Sequence, residues 1–322
     1  MTGNADERAF LTRAFASASI LAELGQSNTE PGFSRNGDQL FQYLYGTEET
    51  DVLRVRINKD LQGIADAATP VHGEPTGRGP RDADVRVYCT HKRLKVGVPA
   101  EDGSERTFDT AIKEYLRSRF DCATALAFTI LPHNRFEPDS LQVCPWFLAY
   151  AIKQDFQFQN QFRPGVLGSM ISALKLDRLA TWVKYTPVDL LQLFDKVMVH
   201  ELSHTRRGGK TVDVGGYKGY GWKNCRTLST KRGGENVPQN NADSIALFTS
   251  ISGLINQGGM VNADGTFTSP GDGHNNDHGA QEAGKMEEHA EPASKPGVTR
   301  KAALRARESP SDALRFKERW FS

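Results

Sequence analysis

The sequence predicts a mainly helical α+β domain with a small antiparallel sheet, spanning residues 1–257, followed by a low-complexity, mostly disordered tail over 258–322. Three observations predict it. Apolar residues recur at helical spacing in four stretches, within Phe10–Leu24, Asp38–Tyr45, Asp51–Ala67 and 187–207. Shorter stretches, Asp84–Cys89, Leu94–Val98, Thr124–Leu131 and Leu141–Val143, have the length and apolar content of strands. From Gly258 the chain is dominated by Gly, Asn, Asp, His, Glu and Pro through Pro296, a composition with too little apolar surface to order itself.

Length and charge narrow the classes of function. A chain of 322 residues with 38% apolar and 25% charged residues is long enough to bury a substantial core. Its net charge of +1 gives no general attraction to nucleic acid or anionic lipid. No apolar run approaches the ~20 residues needed to span a bilayer. The first residues, Met1–Arg8, are polar and acidic where a secretory leader is basic and then apolar, so the expectation is either a cytosolic protein or a mature form without its leader.

Each element has its own signal. The first helix carries Leu11, Phe15, Ile20, Leu21 and Leu24, with Gly25 as its expected stop. The third presents Leu53, Ile57, Leu61 and Ile64 on one face. Gly and Pro mark Pro70–Asp84 as a loop. The terminal stretch 299–322 alternates basic and apolar residues, as a short amphipathic helix would.

The fourth helix carries the chemistry. Thr186 suits its N-cap, Pro187 its first position and Asp189 its first turn. The buried stripe continues through Leu193 and Val197 into His200 and His204. Two histidines four residues apart aim their imidazoles at one point, and Glu201 stands beside them. Arg206 and Arg207 suit the negative end of the helix, and Gly208-Gly209 can leave it through positive φ. A catalytic metal site needs a third protein ligand and an open position. Position 210, where a third histidine would fall, holds Lys210, and Glu235 lies in a glycine-flanked loop. Asp213 is the better third ligand, because the glycine turn can fold it back. Beyond it, Gly215–Trp222 is a flexible aromatic segment, and Asn240-Asn241 caps a last helix with Asp243 in its first turn.

His200-Glu201-x-x-His204, Gly209-x-Thr211-x-Asp213, Tyr220-Gly221-Trp222 and Asn241-Ala242-Asp243-Ser244 together resemble the deuterolysin-type aspzincin metallopeptidases, which include the lysine-specific metalloendopeptidase-like domains. Phe41–Gly46, Ala123–Thr129 and Val143–Phe147 are similar to segments upstream of the motif in that family, so the likeness covers Asp38–Asn256. The resemblance implies a zincin-like domain that hydrolyses internal bonds of a protein or peptide substrate. One Zn2+ per chain would be held by His200, His204 and Asp213, with Glu201 as the general base. Tyr220 is the implied oxyanion donor and Tyr217 the alternative; Asp243 and Tyr217 would contact substrate, or Asp243 would back a ligand. Members that select lysine carry Glu where this chain has Ala246, which argues against a strict lysine preference. The family's bridge corresponds to Cys122–Cys144, leaving Cys89–Cys225 as a second pair. A secreted monomer is expected. A binding protein on an inactive peptidase scaffold is the alternative.

Overall fold

The computed structural model describes residues 5–47, 50–68, 85–116, 122–123, 125–134, 136–153, 186–190, 194–231 and 233–268. The expected loop at 70–84, the stretch 269–322 and the histidines His72, His274 and His278 lie outside the described residues.

Helices α1 (Ala5–Thr29), α2 (Arg35–Tyr45) and α3 (Thr50–Ala68) form one side of the molecule. Ser34 caps α2 by accepting the Gly37 N–H at 3.2 Å. Helix α1 runs straight through Gly25, the expected stop. That glycine is buried, and a Cβ there would stand 3.0 Å from Leu61 Cδ1 and 3.1 Å from Thr249 Cγ2. It is a packing glycine that lets α3 approach α1, and helix propensity yields to that contact.

The strands β1 (Val85–Tyr88), β2 (Leu94–Pro99), β3 (Glu105–Asp109), β4 (Glu114–Tyr115), β5 (Ala127–Ile130) and β6 (Asp139–Val143) form two sheets, where a single antiparallel one was expected. One is ordered β1-β6-β5, with β1 parallel and β5 antiparallel to β6. The other is the antiparallel meander β2-β3-β4. All residues of the central strand β6 are buried, as expected of a strand covered on both faces. The bridge Cys122–Cys144 closes beneath β5, its Cα atoms 5.3 Å apart. Cys89 and Cys225 are free and separately buried, so the expected second bridge is absent.

Beyond helix α4 (Pro145–Ile152), Pro187–Leu190 forms a 3-10 turn. Thr186 and Asp189 close that turn reciprocally. The Asp189 carboxylate accepts the Thr186 N–H at 2.7 Å and its hydroxyl at 2.8 Å, and also the Trp222 N–H at 2.7 Å. Helix α5 (Phe194–His204) follows, then α6 (Trp222–Leu228) and α7 (Ala242–Asn256). Helix α5 packs on α1, α7, α3 and the edge strand β5, and its residues Phe194–Ser203 are all buried. It is a central helix where a one-sided stripe was expected, and its charges need internal partners. Asp195 takes the Ser17 hydroxyl at 2.6 Å.

Polar composition suggested disorder from Gly258, but residues 258–268 are ordered. Strands β7 (Met260–Val261) and β8 (Phe267–Thr268) make a hairpin, the Ala263 carbonyl accepts the Trp222 indole N–H at 3.1 Å, and the Gly265 carbonyl accepts the Val188 N–H at 2.9 Å. Among the described residues no helix is long and apolar enough to cross a membrane.

Candidate metal centre

Helix α5 ends at His204 rather than Arg207, because the residues after it are needed elsewhere. Buried Asp139 of β6 captures the Arg206 backbone N–H at 2.6 Å and its Nε–H at 2.8 Å. Gly208 has no room for a Cβ against the Leu202 carbonyl, and Gly209 turns the chain at φ +103°. Lys210 is also left-handed, at φ +55°, and its N–H reaches the Thr205 carbonyl at 3.0 Å. The chain then doubles back along α5. Thr211 donates its N–H to the Ser203 carbonyl at 3.1 Å, and its hydroxyl lies 2.7 Å from that of Ser203.

This return brings Asp213 to the histidines. Its Oδ1 is 3.2 Å from His200 Nε2 and 3.7 Å from His204 Nε2, and the two Nε2 atoms are 3.3 Å apart. Donors held ~2.0–2.1 Å from a tetrahedral ion stand about 3.3–3.4 Å from one another, so two of the three separations are close to that spacing and the third, between His204 and Asp213 at 3.7 Å, is wider. His200, His204 and Asp213 could therefore hold a metal ion. The tautomer of His204 follows from its neighbour. Its Nδ1 is 2.8 Å from the Thr211 carbonyl, which only accepts, so Nδ1 carries the hydrogen and Nε2 is left to the metal position.

Asp213 is held from the far side by Asn241. The Val212 N–H donates to the Asn240 carbonyl at 2.8 Å, the Ala242 N–H donates to Val212 at 3.1 Å, and Asn241 Oδ1 accepts the Val214 N–H at 3.2 Å. Asn241 Nδ2 donates to the Gly219 carbonyl at 2.8 Å. Asn241 is the N-cap residue of α7, but its side chain does not cap that helix. It fastens both ends of the loop between Asp213 and Tyr220 instead.

Glu201 is buried on the same turn. Thr129 of β5 sets its Oγ1 2.8 Å from the Glu201 carbonyl and 3.0 Å from Oε2. Burial raises the pKa of this carboxyl, against the opposing pull of His204 and His200. The Tyr220 ring stacks on His200 at 5.4 Å, and its hydroxyl hydrogen-bonds Asp213; burial, then the Asp213 and Glu201 charges, push its pKa well up. Tyr217 lies in the 3-10 turn Gly216–Gly219, and its side chain is outside the described residues.

Asp243 lies behind His200. It is 3% exposed, it accepts the Gly221 N–H at 2.7 Å, and its Oδ1 stands 3.8 Å behind His200 Nδ1 and 3.5 Å from Lys196 Nζ. Burial alone would raise its pKa, but Lys196, His200 and the Gly221 N–H overcome that and hold it well below the usual carboxylate value. Of the two placements expected for Asp243, its position behind His200 is the one these contacts describe. Sequence reasoning missed Thr129, Lys196 and the true role of Asn241. Lys196 carried a signal, since Lys196, His200 and His204 share the i, i+4, i+8 face. His133 is exposed and pairs with Glu114 at 2.9 Å, away from the cluster. Comparison with protein-family models and with curated protein sequences returns no match.

Proposed function

We propose that the chain is a zinc-dependent metalloendopeptidase of the aspzincin kind. The observation that carries this reading is the triangle of His200 Nε2, His204 Nε2 and Asp213 Oδ1, at 3.2, 3.3 and 3.7 Å, with a buried carboxyl on the adjoining residue. Two imidazoles and one carboxylate suit zinc, and three protein ligands leave a coordination position for a reactant. Zinc there supplies Lewis-acid polarisation of a carbonyl and acidification of a coordinated water.

The chain's own residues divide the remaining work. Glu201, outside the ligand triangle and rendered more basic by burial, takes the proton of the attacking water and delivers it to the leaving amine. Tyr220, its hydroxyl beside Asp213, is the donor placed to meet the developing oxyanion. Thr211 and Asp243 orient His204 and His200 from behind. Asp243 is buried behind His200 with Lys196 Nζ 3.5 Å away, which argues against its selecting a basic side chain of the substrate. The Cys122–Cys144 bridge suits a secreted protein.

The test is metal analysis of the purified protein combined with casein digestion, with and without a chelator, for the parent and Glu201→Gln. The reading requires about one zinc per chain in both proteins and chelator-sensitive cleavage by the parent alone. A Gln variant that cleaves as fast as the parent would remove Glu201 as the base.

A further inference from the structure

We infer that Lys196 is a positioning residue that loosens the hold of Asp243 on His200 by competing for the same carboxylate oxygen. Lys196 and His200 lie one turn apart on α5 and both face Asp243 in the first turn of α7. Asp243 Oδ2 is committed to the Gly221 N–H at 2.7 Å. Oδ1 stands 3.5 Å from Lys196 Nζ and 3.8 Å from His200 Nδ1. Hydrogen bonds from nitrogen to oxygen close at ~2.7–3.2 Å, so this oxygen is poised between two donors and fully given to neither.

Lys196 is 3% exposed, and its ammonium makes no hydrogen bond within the described residues. A buried charge left so weakly paired is a poor device for stability. Its effect falls on His200 instead. A carboxylate that closes on the Nδ1–H of a ligating histidine makes the imidazole a stronger donor, which holds a dication more tightly and leaves it a weaker Lewis acid. With Lys196 drawing on the same oxygen, that closure is held off.

The inference rests on His200 being a metal ligand. It is tested on the full chain with Lys196→Met, Lys196→Gln, Asp243→Asn and the Lys196→Met/Asp243→Asn double variant. Zinc affinity is read by competition with a chelating indicator at one pH, ligand field by the visible absorption of the cobalt-loaded protein, and folding by thermal melting. Lys196→Met binds zinc about tenfold more tightly than the parent and shifts the cobalt band. Lys196→Gln moves both the same way by less, and carries the reading should the methionine variant not fold. Asp243→Asn binds about tenfold more weakly, and the double variant matches it, because Lys196 acts only through Asp243.

A purely structural lysine gives the opposite pattern, a lowered melting temperature with equal or weaker zinc affinity and an unmoved cobalt band, and that result overturns the inference. A parent protein that takes up neither ion defeats the metal reading itself. A parent that binds, beside an unchanged Lys196→Met, defeats this inference alone.

Discussion

His200 Nε2 and Asp213 Oδ1 stand 3.2 Å apart and keep each other charged. Burial by itself lowers the imidazole pKa, but hydrogen bonding to Asp213, with Asp243 and Glu201 nearby, overcomes it and raises the value to about 10. For Asp213 the balance has the opposite sign: burial pushes its pKa up, and pairing with His200 and His204 brings it below the usual carboxylate range. The arrangement that readies the site for a cation therefore fills it with a proton meanwhile.

Metal uptake near pH 7 should displace about one proton, and affinity should rise by about tenfold per pH unit until His200 deprotonates at about 10. Calorimetry in buffers of different ionisation enthalpy counts the proton, and no release at all would refute the ion pair. Stability of the metal-free protein follows the same signs. The raised His200 contributes fully below the ordinary histidine value of 6.5 and loses its contribution as pH climbs through about 10. The depressed Asp213 contributes above the ordinary aspartate value of 3.8 and loses its contribution as pH falls through its lowered pKa. Urea unfolding of the metal-free protein should thus show stability declining between 6.5 and about 10.

Thr129 couples the strand edge to the proposed base. Its single hydroxyl serves both the Glu201 carbonyl, at 2.8 Å, and Oε2, at 3.0 Å. Thr129→Val keeps the shape and removes the hydroxyl, which frees the carboxyl to turn away from its working position. We expect kcat to fall by about tenfold with KM and zinc content unchanged, and Thr129→Ser to restore most of it. Steady-state kinetics on one peptide decides this, and a valine variant as fast as the parent would show that Thr129 does not orient the base.

The Cys122–Cys144 bridge spans 22 residues of sequence, a loop whose closure removes about 3 kcal/mol of unfolded-chain entropy. Reduction should therefore shift the urea midpoint downward by a corresponding amount. Alkylation separates the thiols: the native protein offers none to the reagent, and unfolding without reductant exposes Cys89 and Cys225. Four labelled thiols under that condition would remove the bridge.

What could be read from the sequence was what depends on local spacing. His200 and His204 at i and i+4, the glycine turn before Asp213, and the buried faces of α2 and α3 all follow from neighbours along the chain. What could not be read depends on which distant segment arrives. Gly25 looks like a stop until Leu61 and Thr249 are placed against it. Strand β1 pairs parallel to β6 across the whole intervening meander, a crossover with no local signal. Asn241 looks like a cap, yet its amide is claimed by Val214 and Gly219. Asp243 looks as ready to meet substrate as to back His200 until Lys196 is seen one turn ahead of His200, buried against it.

Gly63 gives the same lesson in a form that can be measured. It lies within α3, where alanine would ordinarily gain about 1 kcal/mol in helix propensity. Its Cα instead backs onto the Arg207 carbonyl, and an added methyl would overlap that oxygen. Main chain cannot swing aside as a side-chain tip can, so the turn 206–210 must move, and Thr211 and Asp213 follow it directly. Gly63→Ala should destabilise the protein by about 1–3 kcal/mol despite the gain in propensity. It should also weaken zinc binding, although α3 supplies no ligand. A surface control, Gly103→Ala, has no atom within 4 Å of the added methyl and φ +77°, so it bears only the cost of a left-handed alanine and leaves zinc affinity unchanged. Urea unfolding and indicator competition on the two variants separate a general loss of stability from displacement of the metal loop. Equal zinc affinity in Gly63→Ala and parent would show that the turn absorbs the methyl without moving Asp213.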